Sequence, residues 1–97
     1  MRLVIADKAL QDLTGIIGYI RNDRPETANR IEERFWREFD SLCEMPGVGH
    51  RRTDVADDRY RFKRVKSFII CYRIDGSDLR VVRVLHGARD FRRIEFE

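Results

Sequence analysis

The chain has 97 residues, a formal net charge of +3, and a composition that is 42% hydrophobic and 38% charged. This length gives one domain with one core, here residues 1–97, and the hydrophobic content excludes a disordered chain. No apolar run approaches the roughly 20 residues of a membrane helix, and the apolar start is too short for a signal peptide, so we expect a cytoplasmic protein with no membrane partner.

The charge is unevenly distributed. Residues 1–48 contain seven basic and nine acidic residues, whereas residues 49–97 contain thirteen basic and eight acidic residues. The basic half favours an anionic partner, either nucleic acid or an acidic protein segment, although a solvated surface is the commoner meaning of such a bias. Cys43 and Cys71 fit neither a metal motif nor a redox pair, so we predict two reduced structural thiols, no metal site and no cofactor.

The first elements in the chain are a strand and a helix. The strand spans Arg2 to Ala6, and Asp7 is a natural N-cap for a helix that ends near Arg21. The helix is indicated by an apolar stripe with a period of 3.6 residues, formed by Leu10, Leu13, Ile16, Ile17 and Ile20. Gly15 and Gly18 weaken this helix by up to ~1 kcal/mol each, and a neighbouring helix could approach closely there.

A second helix follows after a break at residues 22–24. Pro25 stands in its first turn, where the missing N–H costs nothing, and the apolar spacing continues to about Glu44. Two adjacent amphipathic helices with a short connection predict an antiparallel hairpin. Trp36 lies beside the apolar stripe, so it either widens the core contact or stands at a partner interface, and we favour the core.

The second half of the chain predicts a meander of strands. Strands are indicated at 60–66, 68–74 and 81–85, and the Asp75–Asp78 segment is typical of a hairpin turn. The middle strands are apolar on both faces, whereas the helical hairpin can cover only one. Either the terminal Phe91, Ile94 and Phe96 or another protein must cover the second face. The predicted fold is therefore α+β in the order β-α-α-β-β-β, with the hairpin packed on an antiparallel sheet of about four strands.

The last strand delivers several polar residues to its end. Val81 to Leu85 is apolar on both faces, and His86, Gly87 and Arg89 follow directly. An imidazole and a guanidinium at a glycine turn are a plausible place for function. For Gly87 and Asp90 alone, a tight turn that leads into a helix cap is the simpler interpretation.

The order of several motifs resembles the RelE/ParE superfamily of bacterial type II toxins. The matching segments cover nearly the whole chain and comprise residues 12–20, 25–30, 42–49, 71–73 and 83–90. The resemblance implies a small toxin that is silenced by a cognate antitoxin, ParD-like or of another ribbon-helix-helix type. Such an antitoxin wraps an extended or helical segment around the toxin, which would supply the missing cover for the sheet.

The superfamily has two activities, and the first is ribosome-dependent cleavage of messenger RNA by RelE-like members. That reaction needs a general base, a general acid and cations near the phosphate. Arg61 and Lys63 match the basic pair of these nucleases, but Ile69 stands where they carry an arginine, and no tyrosine or histidine lies between Phe91 and Phe96. His86 could serve as a base. The nuclease alternative would use Arg61, Lys63, Arg83, His86 and Arg89.

The second activity, that of ParE-like members, is to bind DNA gyrase and stall it after DNA cleavage. The segment from Leu85 to Asp90, together with the apolar Ile69, is more similar to these members, so we favour gyrase as the target and assign no catalytic residue. The expected contacts with target or partner are Arg61, Lys63, Arg73, Arg83, His86, Arg89 and Phe91. A third class, a non-toxic immunity or adaptor module, stays open.

Overall fold

The computed structural model describes residues 1–97 and contains the predicted elements in the predicted order. The strands are β1 (Arg2–Ile5), β2 (Tyr60–Val65), β3 (Phe68–Asp75) and β4 (Asp78–His86), and the helices are α1 (Asp7–Asp23) and α2 (Pro25–Glu44). Short 3₁₀ turns lie at Pro46–Val48 and Phe91–Arg93. The α+β class is therefore confirmed. Neither α1 nor α2 combines the length and the apolar character needed to span a membrane.

The four strands form one sheet in the order β1-β4-β3-β2. The meander β2-β3-β4 is antiparallel, as predicted, but β1 pairs in parallel with β4, so the sheet is mixed. The reason lies in the connection, since the helical hairpin and the two following strands separate β1 from its neighbour and return the chain to β4 in the same direction as β1.

The helical hairpin covers one face of the sheet. Its buried residues pack on strand residues to form the first core cluster, which contains Ala9, Leu13, Ile17, Ala28, Phe35, Phe39, Leu42, Val65, Ile70, Tyr72, Leu79, Val81 and Val84. Asp7 begins α1 rather than capping it, because Ala6 occupies the N-cap position without a side-chain hydrogen bond. Gly15 and Gly18 do not mediate the helix contact, because a Cβ atom added at either would meet nothing within 4 Å.

The second face of the sheet is covered by the chain itself. The C-terminal segment 91–97, which we call the tail, contributes Phe91 and Phe96 to a second cluster with Tyr60, Phe62, Cys71, Val82 and Leu85. Val55 and Ala56, from the loop before β2, pack against the same cluster. The sequence left two possibilities for this face, the terminal residues or another protein, and in the structure the terminal residues cover it. The terminal residues and the loop before β2 thus occupy the place that the resemblance assigned to an antitoxin segment.

A carboxylate on α1 holds α1, β4 and the tail together. The pairing of β1 with β4 ends at Ile5 and Val81, and the next residue of β4, Val82, has no partner in β3. Asp12 lies at this open edge, where it accepts a hydrogen bond from the Val84 N–H at 3.0 Å and two from the Arg83 guanidinium at 2.7 and 2.9 Å. Arg83 also donates to the Glu95 carbonyl at 2.6 Å. Both side chains of the pair are only 14% exposed.

Replacing Asp12 by alanine should lower the free energy of unfolding by roughly 2–4 kcal/mol, because it leaves Arg83 and the Val84 N–H without their acceptor. Urea unfolding at neutral pH measures this change. Asp40→Ala is the matched control, since Asp40 is exposed on α2 and the variant should stay within about 0.5 kcal/mol of the parent. Equal losses in both variants would contradict the role given to Asp12.

Candidate functional site

Two of the predicted contact residues, Arg61 and Lys63, lie on β2 and are engaged inside the molecule. The Arg61 guanidinium donates to the carbonyls of Gly49 at 3.1 Å and Gly47 at 3.4 Å, and so holds the loop that follows α2. The Lys63 ammonium lies 3.9 Å from the Glu38 carboxylate on α2, and a third of its side chain is exposed. Arg61 therefore fastens the loop after α2 to β2, and Lys63 lies beside α2.

Arg73 and Arg83 are also paired within the chain. Arg73 binds the Glu97 carboxylate through two hydrogen bonds of 3.0 and 3.1 Å and lies 3.2 Å from Asp75. Arg83 binds Asp12, and this hydrogen bond raises the pKa of the guanidinium. Their charges are balanced by carboxylates, so neither guanidinium is free for an external anion.

Phe91 is not a surface residue. Its side chain is 3% exposed, and its ring stacks on Phe62 with the centroids 6.2 Å apart. The sequence does not determine whether the Phe91 side chain faces the sheet or the solvent. In the structure the ring packs on the sheet. Phe91 therefore belongs to the second core cluster and offers no contact to a target on the folded chain.

His86 and Arg89 are exposed, and the fold brings them to the same end of the sheet as the β2–β3 turn. The Gly87 N–H donates to the Ser67 carbonyl at 2.8 Å, and Phe68 lies opposite His86 in the β3–β4 register. A Cβ atom at Gly87 would lie 3.2 Å from the Arg64 guanidinium. We call this region the basic tip, which consists of Arg64, Lys66, His86 and Arg89.

The basic tip brings together cations that have no carboxylate partner within the chain. Twelve of the twenty lysine and arginine side chains form ion pairs with carboxylates of the chain. The cations without such a partner are Arg24, Arg30, Arg37, Arg51, Arg61, Arg64, Lys66 and Arg89. Three of these eight belong to the tip. Sequence reasoning did not single out Arg64 and Lys66, because only the meeting of the β2–β3 turn with the end of β4 brings them to His86 and Arg89.

The five residues of the nuclease alternative do not converge. Arg61 and Lys63 lie on β2, Arg83 lies at the irregular point of β4, and β3 runs between these strands. Adjacent strands are about 4.8 Å apart, so the backbones of β2 and β4 are separated by roughly 10 Å. His86 uses its Nδ1 atom to accept a hydrogen bond from the Ala88 N–H at 3.1 Å, and its ring packs on Phe68. No carboxylate orients the imidazole.

A second candidate surface is the groove between the outer sides of α1 and α2, which we call the hairpin groove. It encloses about 300 Å³ and is lined by Leu10, Leu13, Thr14, Ile17, Gly18, Arg21, Glu32, Phe35 and Trp36. Leu10 is 52% exposed and Trp36 is 44% exposed, although the indole packs edge-on against Phe39. The core position predicted for Trp36 is thus wrong, because its ring extends past the core contact to the rim of the groove.

The thiols and carboxylates offer little further chemistry. No group of three or more His, Cys, Asp or Glu side chains is placed to hold a metal ion. Cys43 and Cys71 are free thiols, and burial raises the pKa of both above the ordinary value, most strongly for Cys71. The thiolate forms are therefore disfavoured, which agrees with a structural role.

Residues 3–91 match the family described as the ParE toxin of type II toxin-antitoxin system, parDE. The chain belongs to the ParE toxin family. It is 33% identical over 82 residues to toxin RelE2 of Caulobacter vibrioides, a match that covers 84% of this chain and 90% of that protein. Membership of the RelE/ParE superfamily, predicted from the motifs, is confirmed.

Two solved structures share the fold of this ParE-family chain. The chromosomal ParDE toxin–antitoxin system from P. aeruginosa matches with a TM-score of 0.75 and 20% identity, over 89% of this chain and 95% of that one. The RelBE2 toxin–antitoxin complex from Mycobacterium tuberculosis matches with a TM-score of 0.54 and 18% identity, over 88% and 95%. At these identities the likeness shows the common fold, and the relatives carry names from both branches of the superfamily.

In this ParE-family chain the tail is fastened by Glu97, whose pKa is held below its usual range mainly by the hydrogen bonds from Arg73. Tyr60 also donates to this carboxylate. A lowered pKa means that the carboxylate stabilises the folded state above the unfolded pKa of about 4.3, and that this contribution is lost as the pH falls through the folded pKa.

Glu97→Gln should therefore lower the free energy of unfolding by roughly 1 kcal/mol at pH 7, and the difference from the parent should vanish in strong acid. Urea unfolding at a series of pH values from 3 to 7 tests this. Glu33→Gln is the control, since Glu33 is exposed and forms no ion pair. A deficit for Glu97→Gln that stays constant over the whole pH range would refute the linkage.

Proposed function

We propose that this ParE-family toxin acts by binding DNA gyrase and stalling the enzyme after DNA cleavage. The observation that carries the proposal is the dispersal of the residues that a nuclease would need. Arg83 is neutralised by Asp12, Lys63 lies beside Glu38, and Arg61 donates to loop carbonyls. These side chains support the fold, whereas a nuclease needs them directed at one phosphate.

The energetic requirement of catalysis makes this dispersal significant. Enzymes lower reaction barriers by ~8 kcal/mol or more, and they do so with acids, bases and cations held together in position. Ile69 supplies no charge at the β3 position and packs against the second core cluster instead. A poison of gyrase needs only a shaped and charged surface, and the exposed basic tip provides one.

The alternative is ribosome-dependent cleavage of messenger RNA. It is favoured by one observation, the 33% identity to a protein named toxin RelE2. For this chain to act as a nuclease, Lys63 would have to leave Glu38 and act together with His86 across β3.

Expression of the chain without an antitoxin should produce gyrase-dependent double-strand breaks and filamentous cells, with messenger RNA intact. Cleavage complexes are measured with purified gyrase and supercoiled plasmid, and messenger cuts by primer extension on ribosome-bound transcripts. Lys63→Ala should leave the gyrase effect unchanged, because Lys63 faces α2. Codon-phased messenger cuts that disappear in Lys63→Ala, with gyrase unaffected, would overturn the proposal in favour of the nuclease.

We further propose that a cognate antitoxin of the ParD-like or another ribbon-helix-helix type silences this toxin through the hairpin groove. The tail already covers the second face of the sheet, and the groove is an apolar surface that stays open. The groove runs along two helices and exposes Leu10 and Trp36. It could therefore bind the apolar face of an amphipathic helix. Arg21 and Glu32 form a 3.7 Å ion pair among the lining residues and offer both charges to a partner.

Gly18→Leu should fill the groove and weaken binding of the antitoxin encoded beside the toxin at least tenfold, as measured by calorimetry. Gly15→Leu is the matched control, because Gly15 lies on the same helix, also faces open space and does not line the groove. Both variants should stabilise α1 by up to ~1 kcal/mol, so weaker binding cannot come from unfolding. Equal affinities for the two variants would exclude the groove as the docking site.

A further inference from the structure

We infer that the basic tip is a binding site for the backbone phosphates of duplex DNA. The inference adds a DNA contact to the proposed action on gyrase, and it rests on that proposed function for the choice of duplex DNA over other polyanions. The site consists of the cationic side chains of Arg64, Lys66 and Arg89 and the imidazole of His86, at the end of the sheet where the β2–β3 turn meets the end of β4. Three observations support it independently.

The first observation is that the tip carries charge with no internal counter-ion. Arg64, Lys66 and Arg89 are exposed and form no ion pair. Asp90, which follows Arg89 in the chain, is bound by Arg92 at 3.1 Å, and Asp12, which lines one depression with His86 and Arg89, is bound by Arg83 at 2.7 Å. Cations that are not neutralised within the chain are the ones that attract and contact phosphate.

The second observation is the backbone conformation of Lys66. It is the one non-glycine residue with a positive φ, +56°, and it stands in the two-residue turn between the paired Val65 and Phe68. A lysine in this conformation is strained, because its Cβ crowds the backbone, and glycine or asparagine is preferred there. The β3–β4 turn meets the same requirement with Gly76, at a φ of +60°. A lysine kept at the tip despite the strain indicates a use for its ammonium group.

The third observation is that the tip is held in a fixed shape. The Gly87 N–H donates to the Ser67 carbonyl at 2.8 Å, and the Arg64 guanidinium donates to the Lys66 carbonyl at 3.4 Å. The Nδ1 atom of His86 accepts from the Ala88 N–H, which places the imidazole proton on Nε2. Nε2–H is therefore a donor available to a phosphate oxygen. Donors that are already positioned lose little entropy when the anion binds.

The test is fluorescence anisotropy of the purified chain with a 20-base-pair duplex between 50 and 200 mM salt. Three phosphate contacts predict that the affinity falls about 40-fold over this range. The variant with Arg64→Ala, Lys66→Ala and Arg89→Ala should bind at least tenfold more weakly at 50 mM salt and lose most of this salt dependence. The matched control replaces Arg24, Arg30 and Arg37, which are also exposed and without carboxylate partners, and should bind as the parent does.

Several results would overturn the inference. Absence of binding by the parent would show that the tip does not bind duplex DNA. Equal losses in the two triple variants would show that only net charge matters. Tighter binding to a single-stranded RNA of the same length, lost in the tip variant, would assign the tip to RNA. Because gyrase is absent from the assay, a failure here is distinguishable from a failure of the gyrase proposal.

A single substitution tests the strained lysine by itself. Lys66→Gly should melt at a higher temperature than the parent, because glycine adopts the positive φ without strain, and should bind the duplex more weakly. Stability and binding would then change in opposite directions, which a purely structural role for Lys66 does not produce. Undiminished binding by Lys66→Gly would remove Lys66 from the site.

Discussion

The interaction on which the rest of the structure depends is the hydrogen-bonded pair of Asp12 and Arg83. β1 pairs only with the first part of β4, up to Val81, so the outer side of β4 has no strand neighbour beyond that residue. Asp12 satisfies the Val84 N–H and binds Arg83, which in turn holds the tail through the Glu95 carbonyl. One carboxylate thus fixes the helical hairpin to the sheet edge and, through Arg83, fixes the layer on the opposite face. These groups are largely shielded from water, so loss of one partner leaves the others without compensation for their lost hydration.

Both faces of the sheet are covered by the toxin's own chain. The surfaces that are accessible to partners therefore lie on the outside of the helices and at the end of the sheet. The hairpin groove is apolar and lies between the helices, whereas the basic tip is charged and lies where the β2–β3 turn meets the end of β4. The two surfaces differ in chemistry, so they suit different partners. A groove of this kind accepts an apolar helix face, and a group of free cations accepts an anion.

The basic character of the second half of the chain has two different physical uses. Most of its cations are fastened to carboxylates, as Arg73 and Arg80 are to Glu97, with 3.0 Å and 3.5 Å separations, and these pairs hold the tail on the sheet. The tip cations Arg64, Lys66 and Arg89 have no carboxylate partner, which leaves their charge available to an external anion. Counting charges along the sequence therefore overestimates the charge available to a partner. Arg61, Lys63, Arg73 and Arg83 all belong to a basic half that predicts contacts, yet each is engaged inside the fold.

The sequence by itself determined the α+β class, the order of elements, the helical hairpin and the superfamily. These follow from local periodicity, from the proline that opens α2 and from the turn at Asp75–Asp78, and such signals act over a few residues. Only the tertiary structure decided that the tail covers the second face, that Phe91 points inward and that Trp36 stands at a groove rim. It also decided that Arg64 and Lys66 join His86 and Arg89. These outcomes depend on contacts between segments that are distant in the sequence. A pattern of charged and apolar residues is compatible with several sets of such contacts, and packing and hydrogen bonding select one of them.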